Sequence, residues 1–259
     1  MLLAIDVGNT HVVIGAFHGD EITHHWRIAT HGEKTEDEIG LILLELLERS
    51  HLSAKDVDGI VIGSVVPTLT ESLFYMAQKY FKIKPLVVNG RIKTGMPVLM
   101  DNPMEVGADR IADGLAAYRL YGGPVIVVDF GTGTTFDYIT EHGEYAGGVI
   151  APGIGICIEA LFSRAAKLSK VEYVKPPKVI GTNTVNSMQS GFYYGFAGQV
   201  DGILSKMIEE IDRDDVKVVA TGGYGRLVER ESKYIQVVEG NLTLYGLKML
   251  YEENLRHVD

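Results

Sequence analysis

The chain has 259 residues, 46% of them hydrophobic and 22% charged, a balance that suits a globular protein with a core of useful size in one or two domains. No apolar run approaches the roughly 20 residues of a membrane span, and a formal net charge of −10 speaks against a nucleic-acid partner, which calls for a basic face. The lone Cys157 cannot close an internal disulfide and fits a reducing compartment.

The first residues enter a strand at once, with no basic region or cleavage signal, so an unexported, cytoplasmic protein is expected. Leu2 to Val7 and Val12 to His18 read as a hairpin, with a third strand over Glu21 to Ile28. Thr35 followed by Glu38 is a capping box that opens an amphipathic helix to about Arg49. A β-branched strand over Gly59 to Val65 precedes a helix from Pro67 to about Tyr80, a strand over Pro85 to Val88, and a helix over Pro103 to Tyr121 that carries Gly107 and Gly114. Then Pro124 to Asp129, Thr135 to Thr140 and Glu144 to Ile150 predict three antiparallel strands. A helix over Ile154 to Leu168 follows, a long one over Val185 to Ile211, a strand over Lys217 to Thr221, a short helix after Gly223 and a last helix over Leu242 to Arg256.

One phrase occurs twice. Leu3 to Thr10 and Val127 to Thr135 are each an apolar run that ends in Asp-hydrophobe-Gly, then small polar residues, then another strand. Aligning Asp6 with Asp129 and Gly8 with Gly131 lays Val12 to Phe17 over Thr135 to Thr140. A single Asp-Gly turn is a common hairpin connection; two that share the same flanks point to duplicated halves. In the first, Gly8 permits close backbone approach, while Asn9 and Thr10 offer donors to phosphate. Asp6 would repel phosphate unless a divalent cation lay between them, which points to Mg²⁺. The second turn, Asp129 to Thr135, holds two glycines and three threonines, an anion cradle with Asp129 as a candidate cation ligand. Thr221-Gly222-Gly223 would let an adenine or ribose lie flat on the backbone. No Gly-x-x-x-x-Gly-Lys-Ser/Thr occurs, which excludes a P-loop enzyme. The histidines, His24, His25 and His31 among them, lack metal-ligand spacing.

Together these elements resemble the acetate and sugar kinase, Hsp70 and actin superfamily. The resemblance implies an α/β fold of two ribonuclease-H-like halves, residues 1–122 and 123–259, flanking a nucleotide cleft. Asp101-Asn102-Pro103, Val106 to Arg110, Gly181 to Thr184, Ser187 to Gly191 and Gly195 to Asp201 narrow the match. With them the whole chain is similar to the type III pantothenate kinases. That resemblance implies ATP-dependent phosphorylation of pantothenate to 4′-phosphopantothenate, the first step of coenzyme A biosynthesis. It implies that Asp6, Val7, Gly8, Asn9, Thr10, His11, Val12 and Val13 bind ATP, with Thr132 as a second phosphate contact. Asp129 falls on the position for a monovalent cation, K⁺ or NH₄⁺. Gly107, Ala108, Asp109 and Arg110 form the pantothenate loop, Asp109 being the proton acceptor, and Thr184 is a further substrate contact.

The chemistry of these residue types agrees. Arg110 offers a planar fork for a carboxylate, and Asp109 suits a loose phosphoryl transfer in which the hydroxyl needs orientation more than early deprotonation. The sequence departs from the family at Met100, where a tyrosine often stands, so no phenolic hydrogen bond to substrate is expected there. Gly191, Gly195, Gly198 and Gly202 predict a helix face packed closely on another helix, and the resemblance implies that this face makes a homodimer. Two other readings stay open: a nucleotide-dependent regulatory module without catalysis, and a sister kinase acting on a sugar or a carboxylate.

Overall fold

The computed structural model describes residues 1–89, 92–164 and 171–255. In chain order these form β1 (Leu2–Val7), β2 (His11–His18), β3 (Glu21–Ala29), α1 (Glu36–Arg49), β4 (Gly59–Ser64), α2 (Pro67–Met76), β5 (Leu86–Val87) and α3 (Ala108–Tyr121). They continue with β6 (Val125–Phe130), β7 (Gly133–Ile139), β8 (Tyr145–Pro152), α4 (Ile154–Arg164), α5 (Thr184–Ile211), β9 (Lys217–Gly222), α6 (Gly225–Glu229), β10 (Val237–Val238) and α7 (Leu242–Leu255). The predicted ends of two helices, at Leu168 and Arg256, lie outside the described residues.

The chain divides into two compact units, one of Met1–Ala116 with Asn241–Asp259 and the other of Ala117–Gly240. The expected division after residue 122 assigned the last helix to the C-terminal half, whereas α7 clusters with the first unit. Its seat explains why. Gly15, Gly59 and Gly63 on the first sheet lie beneath Leu244, Tyr251 and Leu247 of α7, and side chains at those strand positions would occupy the space of the helix. Lys248, almost wholly buried, reaches Asp20 Oδ1 at 2.7 Å and Glu252 Oε1 at 2.5 Å, which anchors the helix to the β2–β3 turn.

The first sheet runs in the order β3-β2-β1-β4-β5, with β1 antiparallel to β2 and parallel to β4. As a central strand, β1 buries both faces, and its apolar residues are continuous; the edge strand β3 alternates exposed and half-buried residues. The capping box is present, with Glu38 N–H on Thr35 Oγ1 at 3.3 Å and Thr35 N–H on Glu38 Oε2 at 2.9 Å. Leu43 and Leu47, one turn apart on α1, are fully buried, each such burial stabilising by about 1.5–3 kcal/mol.

The second sheet has the order β10-β9-β6-β7-β8, the same arrangement with β6 in the place of β1. Its own core joins Ile126, Val128, Phe136, Leu204 and Val218. The duplication needs one gap. Asp6 faces Val13 across the first hairpin, but Asp129 faces Thr135. The second strand of the repeat is therefore offset by one residue from the ungapped alignment, because the second turn is one residue shorter. Without the gap every side chain of that strand would be assigned to the wrong face.

Two predicted helices are interrupted. The α2 segment passes into a π-helical turn over Ala77–Phe81, closed by Lys82 in the left-handed region. The predicted helix from Pro103 is a 3₁₀ turn over Pro103–Glu105, then extended Val106, and α3 starts only at Ala108. On α7, an added Cβ at Gly246 would overlap the carbonyl of Ala112 on α3. Gly246→Ala is therefore expected to cost about 2 kcal/mol of stability by overpacking, measured by urea unfolding; a change within about 0.5 kcal/mol would show that the two helices part without penalty.

Candidate functional site

In the first unit, Asp6 is half-buried near the end of β1, and the turn Gly8–Thr10 follows. Gly8 N–H donates to His11 C=O at 3.0 Å, which leaves Asn9 and Thr10 as the two-residue tip of the hairpin. Asn9, Thr10 and His11 are exposed, while Val7 and Val12 are buried in the core. The side chains of the two valines belong to packing, so within the Asp6–Val13 stretch they can meet a ligand only through their backbone.

The second motif of this unit is built on Gly107. Asn102 caps the preceding 3₁₀ turn, its Oδ1 accepting from Met104 N–H at 3.3 Å and its Nδ2 donating to Glu105 Oε1 at 2.8 Å. Gly107 C=O then accepts the first α3 bond, from Ile111 N–H at 3.2 Å. The Asp109 carboxylate folds back over Gly107: its Oδ1 lies where a Cβ at residue 107 would point, and it accepts Arg110 N–H at 2.9 Å. A carboxylate in the first turn of a helix is favoured by the macrodipole, whereas a cation there is not. Arg110 lies in the same first turn, where the macrodipole gives a cation no support.

Sequence reasoning missed the residue that joins the two motifs. Val65, just beyond β4, donates its N–H to Val7 C=O at 3.1 Å, and its Cγ1 lies 4.0 Å from the Cβ direction of Gly107. An open groove of about 500 Å³ begins beside it, at the carboxyl ends of β4 and β5, lined by Ser64, Val65, Thr70, Phe74, Val87 and Asn89 among others. Ligands of open α/β sheets bind at such strand ends. The signal was present only as the apolar end of a buried strand. Met100, also in this unit, is half-buried.

In the second unit, Asp129 near the end of β6 is flanked by Thr135 on β7 and Thr221 on β9. Its carboxylate is framed by two glycines. Oδ1 lies 2.5 Å from the Cβ position of Gly222, and Oδ2 lies 3.0 Å from that of Gly131. Gly222 also has φ +83°, which disfavours any other residue. A Cβ at Gly153, the residue before α4, would overlap the Thr132 carbonyl, so the Gly131–Thr132 turn rests on the start of that helix. Tyr224 follows the Gly222-Gly223 pair and packs edge-on against Tyr173 at 5.5 Å, whose hydroxyl burial holds above the usual tyrosine range. Thr184 is the exposed first residue of α5, behind Asn183, whose side chain accepts Asn186 N–H at 2.9 Å.

One buried group escaped the sequence reading. Asp137, fully buried on β7, accepts from Tyr145 Oη at 2.5 Å and from Thr135 Oγ1 at 3.0 Å. Thr135 also lies opposite Asp129 in the β6–β7 register, so the strand behind the second turn carries hydrogen-bonded polar side chains as well as apolar packing. Among the described residues no group of three or more His, Cys, Asp or Glu could hold a metal ion. A cation at either aspartate would need further ligands, such as phosphate oxygens or water. No described helix is long and apolar enough to cross a membrane.

Of the predicted site residues, the first unit contains Asp6 to Val13, Met100 and Gly107 to Arg110, and the second contains Asp129, Thr132 and Thr184. Two five-stranded mixed sheets with the same strand arrangement define the duplicated fold of the actin-like ATPases. Solved structures share it. A protein described as a Baf family transcriptional activator from Campylobacter jejuni superposes with TM-score 0.62 at 18% identity, over 98% of this chain and 99% of its own. The activator of 2-hydroxyisocaproyl-CoA dehydratase from Clostridium difficile, solved with bound ADPNP, gives 0.56 at 12% identity, over 98% and 97%. At these identities the likeness concerns the fold alone. The sequence goes further: residues 2–206 match the type III pantothenate kinase family, and a type III pantothenate kinase from Moorella thermoacetica is 56% identical over 254 residues, 98% of this chain and all of that one. The chain belongs to the type III pantothenate kinase family.

Because the Asp109 carboxylate occupies the space over Gly107, Gly107→Ala must turn it away. The variant is expected to lose on the order of a hundredfold in kcat, the scale of a 1 Å misplacement, with its melting temperature nearly unchanged. Full kcat in that variant would show that the carboxylate is not held by the glycine.

Proposed function

We propose that this chain phosphorylates pantothenate to 4′-phosphopantothenate with ATP, the first step of coenzyme A biosynthesis. The observation that carries the reading is the Gly107–Arg110 start of α3, in a chain of this family: a carboxylate seated on a glycine with an arginine beside it, joined through Val65 to the Asp6–Thr10 turn. In this reading the backbone of Asp6 to Val13 and Thr132 grip the ATP phosphates. Arg110 pairs with the pantothenate carboxylate, Asp109 orients the hydroxyl and accepts its proton, and Gly107, Ala108, Thr184 and Met100 border the substrate. Mg²⁺, carried by the phosphates and facing Asp6, would neutralise charge on the transferring group. Asp129, with both oxygens set by Gly131 and Gly222, is suited to a monovalent cation, K⁺ or NH₄⁺. A cytoplasmic location fits the single cysteine.

The glycines of α5 support a homodimer. Gly191, Gly195, Gly198 and Gly202 are exposed, and among the described residues nothing lies within 4 Å of a Cβ added at any of them. Among the described residues the face is open, and it is suited to a second copy, since small residues let helices approach closely. Light scattering at micromolar concentration is expected to give twice the mass of 28.4 kDa; a monomer removes the assignment.

Asp109→Asn is expected to abolish ADP release with pantothenate while ATP still binds, as followed by a coupled assay and calorimetry. Run across pantothenate, sugars and acetate, the natural protein should respond to pantothenate alone. Turnover of a sugar or acetate would point to a sister kinase, and no turnover at all to a regulatory module. Omitting K⁺ and NH₄⁺ should lower the rate, and Asp129→Ala should remove that dependence; indifference of the natural protein to both ions would end the Asp129 assignment.

A further inference from the structure

The residue after β3 is tied twice to the first phosphate turn. Thr30 N–H donates to Thr10 C=O at 3.0 Å, and Thr30 Oγ1 donates to Gly8 C=O at 2.7 Å. The backbone bond merely continues the β2–β3 ladder past its last pair, His11 with Ala29. The side-chain bond is different in kind. It crosses from the third strand of the sheet to a carbonyl that leaves the first, passing β2, and it fixes an atom that ladder geometry does not reach.

The need for such a bond follows from what the turn is asked to bind. A backbone turn attracts an anion through N–H groups, and each carbonyl that swings to the same side presents a negative end and cancels part of that attraction. A glycine makes this hazard acute, because Gly8 has no Cβ to limit the rotation of its peptide planes. The chain carries a net charge of −10, so its overall field gives no help to a nucleotide and the local dipoles must do the work.

We infer that Thr30 is a positioning residue for the nucleotide: its hydroxyl holds the Gly8 carbonyl toward β3 and so keeps the first phosphate turn in its anion-accepting orientation. The inference rests on the reading of Asp6 to Val13 as the ATP stretch. Thr30 touches neither the phosphate nor the reacting atoms; it acts through the turn.

The test is steady-state kinetics of the full-length enzyme with ATP and pantothenate varied in turn, on Thr30→Val, Thr30→Ser and Asn9→Ala. Thr30→Val keeps the shape and the β propensity and removes the hydroxyl. It should raise KM for ATP about fivefold, the scale of one lost hydrogen bond, with KM for pantothenate unchanged. Thr30→Ser, which keeps the donor, should restore the ATP value; Thr30→Ala gives the same readout as valine if the valine perturbs packing. An unchanged ATP KM in the valine and alanine variants overturns the proposal, as does a parallel loss for both substrates, which marks a general structural defect. Asn9→Ala separates the two levels. If it raises KM for ATP and Thr30→Val does not, only the role of Thr30 fails. If neither Asn9→Ala nor Thr30→Val changes KM for ATP, the nucleotide-turn reading fails and the proposal with it.

Discussion

A carboxylate at the end of a strand or in the first turn of a helix can swing through several rotamers, and its use as a ligand or a base depends on which of them the surroundings allow. In both units that choice is made by glycine. The Asp109 oxygen and the Asp129 oxygens occupy the volumes that side chains at residues 107, 131 and 222 would otherwise fill. A missing methyl group thus acts as a socket. The rest of the arrangement serves this constraint: the 3₁₀ turn capped by Asn102 delivers the chain to Gly107, and the left-handed Gly222 turns β9 away immediately beside Asp129. At Gly222 the socket is lined by the Phe130 backbone as well as by the carboxylate, whereas at Gly107 it is lined chiefly by the Asp109 carboxylate itself.

Much of the fold was legible because periodicity and punctuation agreed along most of the chain. Thr35 with Glu38 marked the start of α1, and the β-branched run at residues 59–65 marked a buried strand. The failures have local physical causes. The short β10 has two residues and carries no period to detect. Pro103 has the look of a helix start, and Asn102 does cap a turn there, but extended Val106 and Gly107 delay α3 to Ala108. The ungapped alignment of the repeat misplaced the second strand by one residue, because a strand shows which residues share a face but not how many residues its turn consumes.

The candidate site divided along the same line. The acids ending β1 and β6 stood out through the repeated phrase that carries them, and Arg110 through the family resemblance of its neighbours. Val65 did not, since an apolar residue at the end of an apolar strand looks like core until its neighbours are known. Asp137 lay within a predicted strand, but its partner Tyr145 is eight residues away across a hairpin, and only the register of β7 on β8 brings the two together.

The return of α7 to the first unit makes the second unit an insertion within the first. This inverts the order in which the two can mature as the chain is synthesised. Residues 117–240 have all been made while the first sheet still lacks the helix that sits over Gly15, Gly59 and Gly63. The strands made first are therefore sealed late, and they must wait, with one face uncovered, until α7 has left the ribosome.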